Sequence, residues 1–409
     1  MTLTIAAILI YAFKGIYINT KLWSSGWKWT AWIAFWGVIA TSFFTWLWSR
    51  YNWMYLHDNY PAFQDFLNGT MITLVITCVV MVAFNLIDDI AHFVRWIAAK
   101  TGPAEIEIEG PKISRWRFIS QIGLGAGALT LGSFFWGITK GKLNFSVVRK
   151  TLSFPNLPAA FDGAKIVQIS DAHLGSFTDQ HQEVKDAIQT INDLNPDYIF
   201  FTGDLVNSTE QEADPWVPIF KNLCAKKGMY AILGNHDYGY YGDMDDDRQA
   251  RVRVGVIDRL SQIGFKVLLN EHTILREGED KIGLIGVENW GKSHWFPKAG
   301  DLAKAKEGLE DMPFNILLSH DPTHWEEYVI GKEDSIDLTL SGHTHGAQMG
   351  LNIPGVLYIS PARLMFKRWA GLYQEGKNRL YINRGFGYLI FPGRVGMSPE
   401  ISLLELKKA

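Results

Sequence analysis

Along the first 140 residues the hydrophobic positions run in long, nearly unbroken blocks. After residue 150 they come in runs of five or six, separated by Gly, Asp, Asn and His. Crossing a bilayer core as a helix takes roughly 20 apolar residues, and four blocks approach that length. Leu3–Ile18 is short and is interrupted by Lys14. Trp29–Trp48 is a full span, with Trp27, Trp29, Trp46 and Trp48 where an aromatic belt would stand. Met71–Ile87 is apolar throughout and runs straight into Asp88 and Asp89. Phe118–Ile138, rich in glycine, is the fourth. The pattern predicts a four-helix transmembrane region over 1–140, with spans at about 3–18, 29–48, 71–87 and 118–138. The first block has no obvious small-residue cleavage site and three further spans come after it, which argues against a signal peptide.

The second half reads as strand, loop, helix, strand. Lys165–Ser170, Tyr198–Thr202, Met229–Leu233, Lys281–Val287, Phe314–Ser319 and Ile336–Ser341 are short runs of buried-strand character. His181–Leu194 puts Val184, Ile188, Ile191 and Leu194 on one helical face, and Asn195-Pro196 ends it. Strands alternating with helices predict an α/β class with covered sheets. Residues 101–117 read as a polar loop. Residues 141–160, with Pro155 and Pro158, read as a linker, and 161–409 as a catalytic domain.

Composition sharpens this division. Met1 to His57 contains no Asp or Glu, and eleven of the sixteen Trp lie before residue 137. The 39 Lys+Arg nearly balance 42 Asp+Glu, which excludes a nucleic-acid binder driven by bulk positive charge. Two distant cysteines, Cys78 and Cys224, make neither a disulfide framework nor a Cys-rich zinc site. Gly123-Leu-Gly125-Ala-Gly127 sits inside an apolar run with no strand before it, so it predicts close helix packing and not a dinucleotide loop.

The chemistry lies at the strand ends: Asp171-Ala-His173, Gly203-Asp204, Gly234-Asn235-His236-Asp237, Ser319-His320-Asp321 and Gly342-His343-Thr344-His345. In open α/β sheets ligands bind beyond the carboxyl ends of the strands, so these residues are expected to converge. A lone histidine is most often a satisfied surface or core residue; five polar strand ends in series are not. Carboxylate, imidazole and amide ligands without thiolates suit Mn, Fe, Zn or Mg.

The ordered series D-x-H, G-D, G-N-H-D, H and G-H-x-H resembles the calcineurin-like metallophosphoesterase superfamily. The wording around it (I-S-D-A-H-L-G, G-N-H-D-Y, L-L-S-H-D-P, S-G-H-T-H-G-A-Q) is similar to its membrane-anchored bacterial branch, as is Asn383–Leu406. The resemblance covers about residues 150–407 and implies a two-sheet αββα sandwich. It implies one metal ion on Asp171, His173, Asp204 and His345, and a second on Asp204, Asn235, His320 and His343, with Asp204 bridging. Two such ions clamp the attacking and leaving oxygens of an in-line displacement at phosphorus. His236 matches the family's non-ligand histidine, which gives a proton to the leaving alkoxide, and Asp237 is expected to orient that ring. Where the branch usually has a second glycine, this chain has Ala347.

Three motifs are weighed against the site. Gly286-V-E-N-W-Gly291-Lys292-Ser293 satisfies the P-loop expression, but Pro297 stands where its helix would begin, and Trp290 is bulky. Arg384 and Arg394 are candidates to bind substrate phosphate, with a surface or interdomain ion pair as the equal alternative. The acidic run Asp243–Asp247 reads as a solvated loop, with a lid over the site as the alternative.

The expected protein is therefore a membrane-bound, two-metal phosphoesterase of a mono- or diester, with lipid-linked or envelope phosphoesters as candidate substrates. The competing reading is a non-catalytic membrane protein whose phosphoesterase-like domain only binds. The bilayer is the one expected partner besides substrate; nucleic acid is not expected and no protein partner is inferable. Arg95, Lys100, Lys112, Arg115 and Arg117 lie between the third and fourth spans, against Arg50 alone between the second and third. By the positive-inside rule the third-to-fourth loop is cytoplasmic, which makes this a multi-pass cell-membrane protein with an extracytoplasmic catalytic domain. Ser114-R-W-R-F-I is also similar to the twin-arginine export signal of some relatives, although Trp116 divides the arginines. Lys140, Lys142, Arg149 and Lys150 count against that orientation.

Overall fold

The computed structural model describes residues 2–52, 55–56, 60–101, 115–177, 182–241, 244–294, 296–353 and 357–409. The chain divides into two compact units, Met1–Thr139 and Lys140–Ala409. Most of the predicted 101–117 loop lies outside the described residues, as do His181 and Asp243.

The first unit is helical: α1 (Thr2–Thr20), α2 (Ser25–Tyr51), α3 (Pro61–Thr101) and α4 (Arg115–Thr139). Three of its helices are long and apolar enough to cross a membrane, at Ser25–Tyr51, Ala62–Val94 and Arg117–Thr139, while Thr4–Thr20 is shorter. Lys14, which interrupts the first apolar block, pairs with Asp89 of α3, and Tyr11 donates to the same carboxylate. A charge in an apolar surrounding persists only when paired. The glycines of α4 do pack closely. A Cβ on Gly123 would lie 2.8 Å from Phe84 Cβ, and one on Gly127 would lie 2.9 Å from Met81 Cγ.

The second unit holds two six-stranded sheets. The first runs in the order β1 (Ser146–Phe154), β14 (Glu400–Lys408), β2 (Lys165–Ile169), β3 (Tyr198–Thr202), β4 (Gly228–Ile232), β5 (Lys266–Val267). The second runs β12 (Gly371–Glu375), β13 (Asn378–Ile382), β9 (Leu338–Ser341), β8 (Asn315–Leu318), β7 (Asp280–Gly286), β6 (Glu271–Glu277). Alternation along the strands decides the layers. Ile166, Phe200, Leu284, Ile316 and Leu340 fill the space between the sheets. Val167, Ile169, Ile199 and Phe201 face outward onto α5 (Gln182–Asp193) and α6 (Asp246–Ile263), through Val184, Ile188, Val252 and Leu260. Leu317, Ile285, Ile382 and Trp325 form the outer layer of the second sheet. The result is the αββα sandwich expected.

Two expectations need correction. The 141–160 linker contains β1, which pairs in parallel with β14 over its whole length, from Ser146↔Glu400 to Phe154↔Lys408. Proline at 155 and 158 limits only the turn beyond that strand. The acidic run is not a loop throughout: Asp245 caps α6 by accepting from Arg248 N at 2.7 Å, and Asp246 and Asp247 stand in its first turn. Carboxylates there complement the helix dipole.

Candidate metal centre

The ligand-type side chains leave the carboxyl ends of β2, β3 and β4 in one sheet and of β8 and β9 in the other. The turns that carry them are tight. Asp171, His173, Asp204, His343 and His345 all take positive φ, between 43° and 72°, a conformation that side chains adopt at a cost and that clusters at functional sites. The glycines beside them make room. A Cβ on Gly342 would lie 2.2 Å from Asp171 Oδ2, and one on Gly234 would lie 2.2 Å from Asp204 Oδ1. Ala347 also sits at φ 50°, a left-handed conformation for a residue that carries a Cβ.

Two groups form, Asp171–His173–His345 and Asp204–His320–His343, the ligand atoms of each lying within 4.8 Å of one another. Asp204 Oδ2 stands between them, 3.6 Å from His173 Nε2 and 3.1 Å from His320 Nε2. The other oxygen of Asp204 accepts from His236 N at 2.8 Å. Asn235 Oδ1 completes the second group, 3.1 Å from His320 Nε2 and 2.8 Å from His343 Nδ1. In the first, His345 Nε2 is 3.3 Å from Asp171 Oδ1 and 3.1 Å from His173 Nε2.

The hydrogen-bond partners around the ring fix which nitrogens point inward. His320 Nδ1 lies 2.7 Å from the carbonyl of Thr202, which can only accept, so Nδ1 carries a proton and Nε2 is the nitrogen turned toward Asp204. Asn235 Nδ2 donates to Tyr241 Oη at 2.7 Å, which turns Oδ1 inward. Asn207 Nδ2 donates to Ser176 Oγ, and its Oδ1 receives His173 Nδ1 at 3.1 Å. Carboxylate, amide and imidazole groups thus crowd together at contact distance, held in the metal-free protein by protons such as the one shared between His320 and Asp204. Buried polar and charged groups so close together need a proton or a cation between them, and the donor set fits two divalent ions that would displace those protons. The potential agrees. Burial opposes charge on His320, yet the Asp204 carboxylate overrides it and pushes the ring up to about 10. Burial likewise opposes ionisation of Asp171, but His345 outweighs it and holds the carboxyl at about 2. His173, buried and beside His345 and His236, is held well below the ordinary histidine value and stays neutral.

His236 lies at the rim of this group, its ring centroid 4.9 Å from that of His173. Its Nδ1 is 2.6 Å from the carbonyl of Asn207. Asp237 does not orient it, contrary to the expectation. The Asp237 carboxylate accepts from the backbone N–H groups of Gly234, Asp204 and Leu205 at 2.8–2.9 Å, so it ties the β3 and β4 turns together. Arg384 and Arg394 are likewise structural. Arg384 pairs with Glu400. Arg394, almost fully buried, donates to the carbonyls of Arg384 at 2.7 Å and Gly385 at 3.1 Å, with Nη2 3.2 Å from His345 Nδ1. The P-loop expression is a coincidence of spelling. Trp290 bridges to Lys298, Lys292 N donates to Thr323 Oγ1, and the next helix begins at Leu302, beyond Pro297.

Two residues escaped the sequence reading. Asn207, three places after Asp204, serves His236 with its carbonyl and His173 with its side chain. Tyr241 stacks on His236, but nothing in the run Tyr238-Gly-Tyr240-Tyr241 distinguishes it from its neighbours. Asn207 could have been sought from its place in the turn after G-D.

Residues 164–347 match the family model described as calcineurin-like phosphoesterase, and residues 1–142 match one described as a probable calcineurin-like phosphoesterase transmembrane domain. The chain is 32% identical over 303 residues to the uncharacterized metallophosphoesterase YkuE of Bacillus subtilis, covering 72% of this chain and 98% of that protein. It is 29% identical to a transmembrane protein with metallophosphoesterase domain from Danio rerio, over 67% of this chain and 60% of the relative. It is 27% identical to the UDP-2,3-diacylglucosamine pyrophosphatase LpxG of Chlamydia trachomatis, over 59% of this chain and 83% of that one. With the strand-end ligands and the apolar helices before them, these matches make the chain a membrane protein of the calcineurin-like metallophosphoesterase family, hydrolases that use divalent metals.

Proposed function

We propose that this protein hydrolyses a lipid-linked phosphoester at the extracytoplasmic face of the membrane, using two divalent ions. Asp171, His173, Asp204 and His345 would hold one ion, and Asp204, Asn235, His320 and His343 the other. The observation that carries this reading is the position of Asp204 Oδ2 between His173 and His320. The ligand set without thiolates suits Mn, Fe, Zn or Mg. Bound there, two such ions supply Lewis acidity at the phosphoryl oxygens and acidify water.

The chain's own residues do the rest. His236 keeps its Nδ1 proton on the Asn207 carbonyl, so as the imidazolium it gives its Nε2 proton to the departing alkoxide and is left as the neutral ring. Asp204 engages the His236 backbone with one oxygen and keeps the other for the ions. A lipid-linked substrate is supported by the membrane-spanning helices and by the named activity of the chlamydial relative, and a phosphate ester of a lipid-anchored nucleotide sugar is the first to try. The test is metal analysis of the full-length protein in nanodiscs, with turnover of an aryl phosphodiester and a panel of phosphorylated lipids. Two ions per chain and metal-dependent cleavage of a lipid phosphoester are expected. Metal-loaded protein that cleaves no phosphoester would leave the domain as a binding module.

A further inference from the structure

We infer that the metal-bearing edge of the catalytic domain docks on an anionic lipid surface through an apolar rim beside the metal centre. The rim comes directly after the His343–His345 turn. Strands β10 (Leu351–Ile353) and β11 (Leu357–Ile359) form a hairpin whose described residues are all exposed. Leu364 is 88% exposed, Met365 69% and Ile390 86%. Single exposed apolar residues are ordinary, but a cluster on one edge marks an interaction surface. It adjoins the site directly. The Phe366 ring is 5.5 Å from that of His343, and Ser360 Oγ donates to the Gly346 carbonyl at 2.6 Å.

Ile390 is held out deliberately. It takes φ 65°, an outlier for a β-branched residue. The Gln348 side chain enforces it from both flanks, accepting from Leu389 N and donating to the Phe391 carbonyl. Surrounding bonds that impose strain on an exposed isoleucine point to a use for that side chain in contact.

Charge identifies the partner. No Asp or Glu lies between Asp337 and Glu375, while Arg363 and Lys367 stand exposed beside Leu364 and Met365. Leucine and methionine flanked by basic residues suit the interface of an anionic bilayer. The path of the chain supports the same edge. The last span ends at Thr139 and β1 begins at Ser146. Since β1 runs parallel to β14 and β14 antiparallel to β2, Ser146 lies at the end of the sheet where β2 delivers Asp171. Phe145 packs on Phe386 at 4.5 Å, and Gly387 N donates to the Asp171 carbonyl. Six residues separate the last span from β1, so the chain enters the catalytic domain at its metal-bearing edge. Docking of this kind adds to the proposed hydrolysis and stands without it, because its readout is lipid contact.

The full chain carrying Cys224→Ser, with buried Cys78 left in place, would be labelled with an environment-sensitive dye at Leu364→Cys or Ile390→Cys. Glu279→Cys, in the β6–β7 turn at the opposite edge, serves as control. In phosphatidylglycerol nanodiscs the dyes at 364 and 390 should shift to the blue and be quenched by acyl-brominated lipid, while the dye at 279 should not. Quenching should fall when phosphatidylcholine replaces phosphatidylglycerol. Dyes at 364 and 390 as unquenched as that at 279 would overturn the docking. A blue shift indifferent to bromination but rising with chains per disc would assign the rim to a second copy and overturn it equally. Quenching indifferent to headgroup would overturn the role given to Arg363 and Lys367.

Discussion

The imidazole of His236 lies flat on the phenol ring of Tyr241, centroids 3.9 Å apart and planes 13° apart, while Tyr241 Oη is bonded to Asn235. One tyrosine therefore links the proposed proton donor to a proposed metal ligand. His236→Ala should keep both ions and lose roughly 10²–10⁴ in kcat, the scale of general acid catalysis. The loss should shrink for nitrophenolate esters, whose leaving groups need no proton; an equal loss across leaving groups would remove His236 from that role. Tyr241→Ala forfeits a ring contact worth about 0.5–1.5 kcal/mol, a drop of roughly two- to tenfold in rate. Tyr241→Phe should restore most of it, since the stack is kept.

Asp204→Asn should empty both ion positions together, because a single carboxylate faces both histidine groups. Removing His343 should deplete one position and spare the other. Metal content by mass spectrometry separates these outcomes, with circular dichroism to verify folding. Asp204→Asn protein that retained two ions and wild-type kcat would refute the bridging assignment.

In the metal-free protein His320 is pushed up to about 10 by Asp204, above the ordinary value near 6.5. Its charge therefore contributes stability in full below about pH 6.5, and that contribution is lost as pH rises through about 10. Metal-free protein should show a falling Tm across this window, and metal-loaded protein should not, since ion binding requires the neutral ring. Loading at pH 8 should release a proton, measurable as a calorimetric heat that depends on the buffer's ionisation enthalpy. Loading without proton release would contradict the placement of an ion at His320.

Much of this architecture is legible in the chain alone. Runs such as Tyr198–Thr202 are bounded by residues that cannot continue a buried strand, so their ends fall close to the strand ends, although the run from Ile336 begins two residues before β9. The ligands are legible because Asp-x-His and His-x-His are rare spellings for a strand end. The hidden features depend on partners distant in sequence. β1 looks like linker because its stability comes from pairing with β14, some 250 residues later. Asp237 looks like an orienting partner for its neighbour His236, and only the fold shows its oxygens turned onto the N–H groups of Asp204 and Leu205. Arg394 looks like a phosphate ligand until the carbonyls around it are seen.

The side of the membrane can be argued from charge once the ends of the helices are matched. Asn19 Nδ2 donates to Ser120 Oγ, Ser120 Oγ to the Gly15 carbonyl, and Asn85 Nδ2 to the Tyr11 carbonyl. The last turns of α1, the later part of α3 and the first turns of α4 therefore share one end of the helical unit. Trp32 of α2 bonds Thr20 there as well. Lys21 and Lys28, at the turn from α1 to α2, thus join Lys100 and Arg117 at that end, while Arg50 stands at the far end of α2. Lysine and arginine in short connections mark the cytoplasmic side, so α4 should carry the chain outward. Of the opposing charges, Lys140 and Lys142 directly follow the last span and count against this, but Lys21, Lys28, Lys100 and Arg117 outnumber them. Arg149 and Lys150 lie in β1 of a folded domain, and domains are translocated largely regardless of charge. A C-terminal alkaline phosphatase fusion should be active and a fluorescent-protein fusion dark. A bright fluorescent fusion beside an inactive phosphatase would put the metal centre in the cytoplasm, and with it a substrate of the inner leaflet.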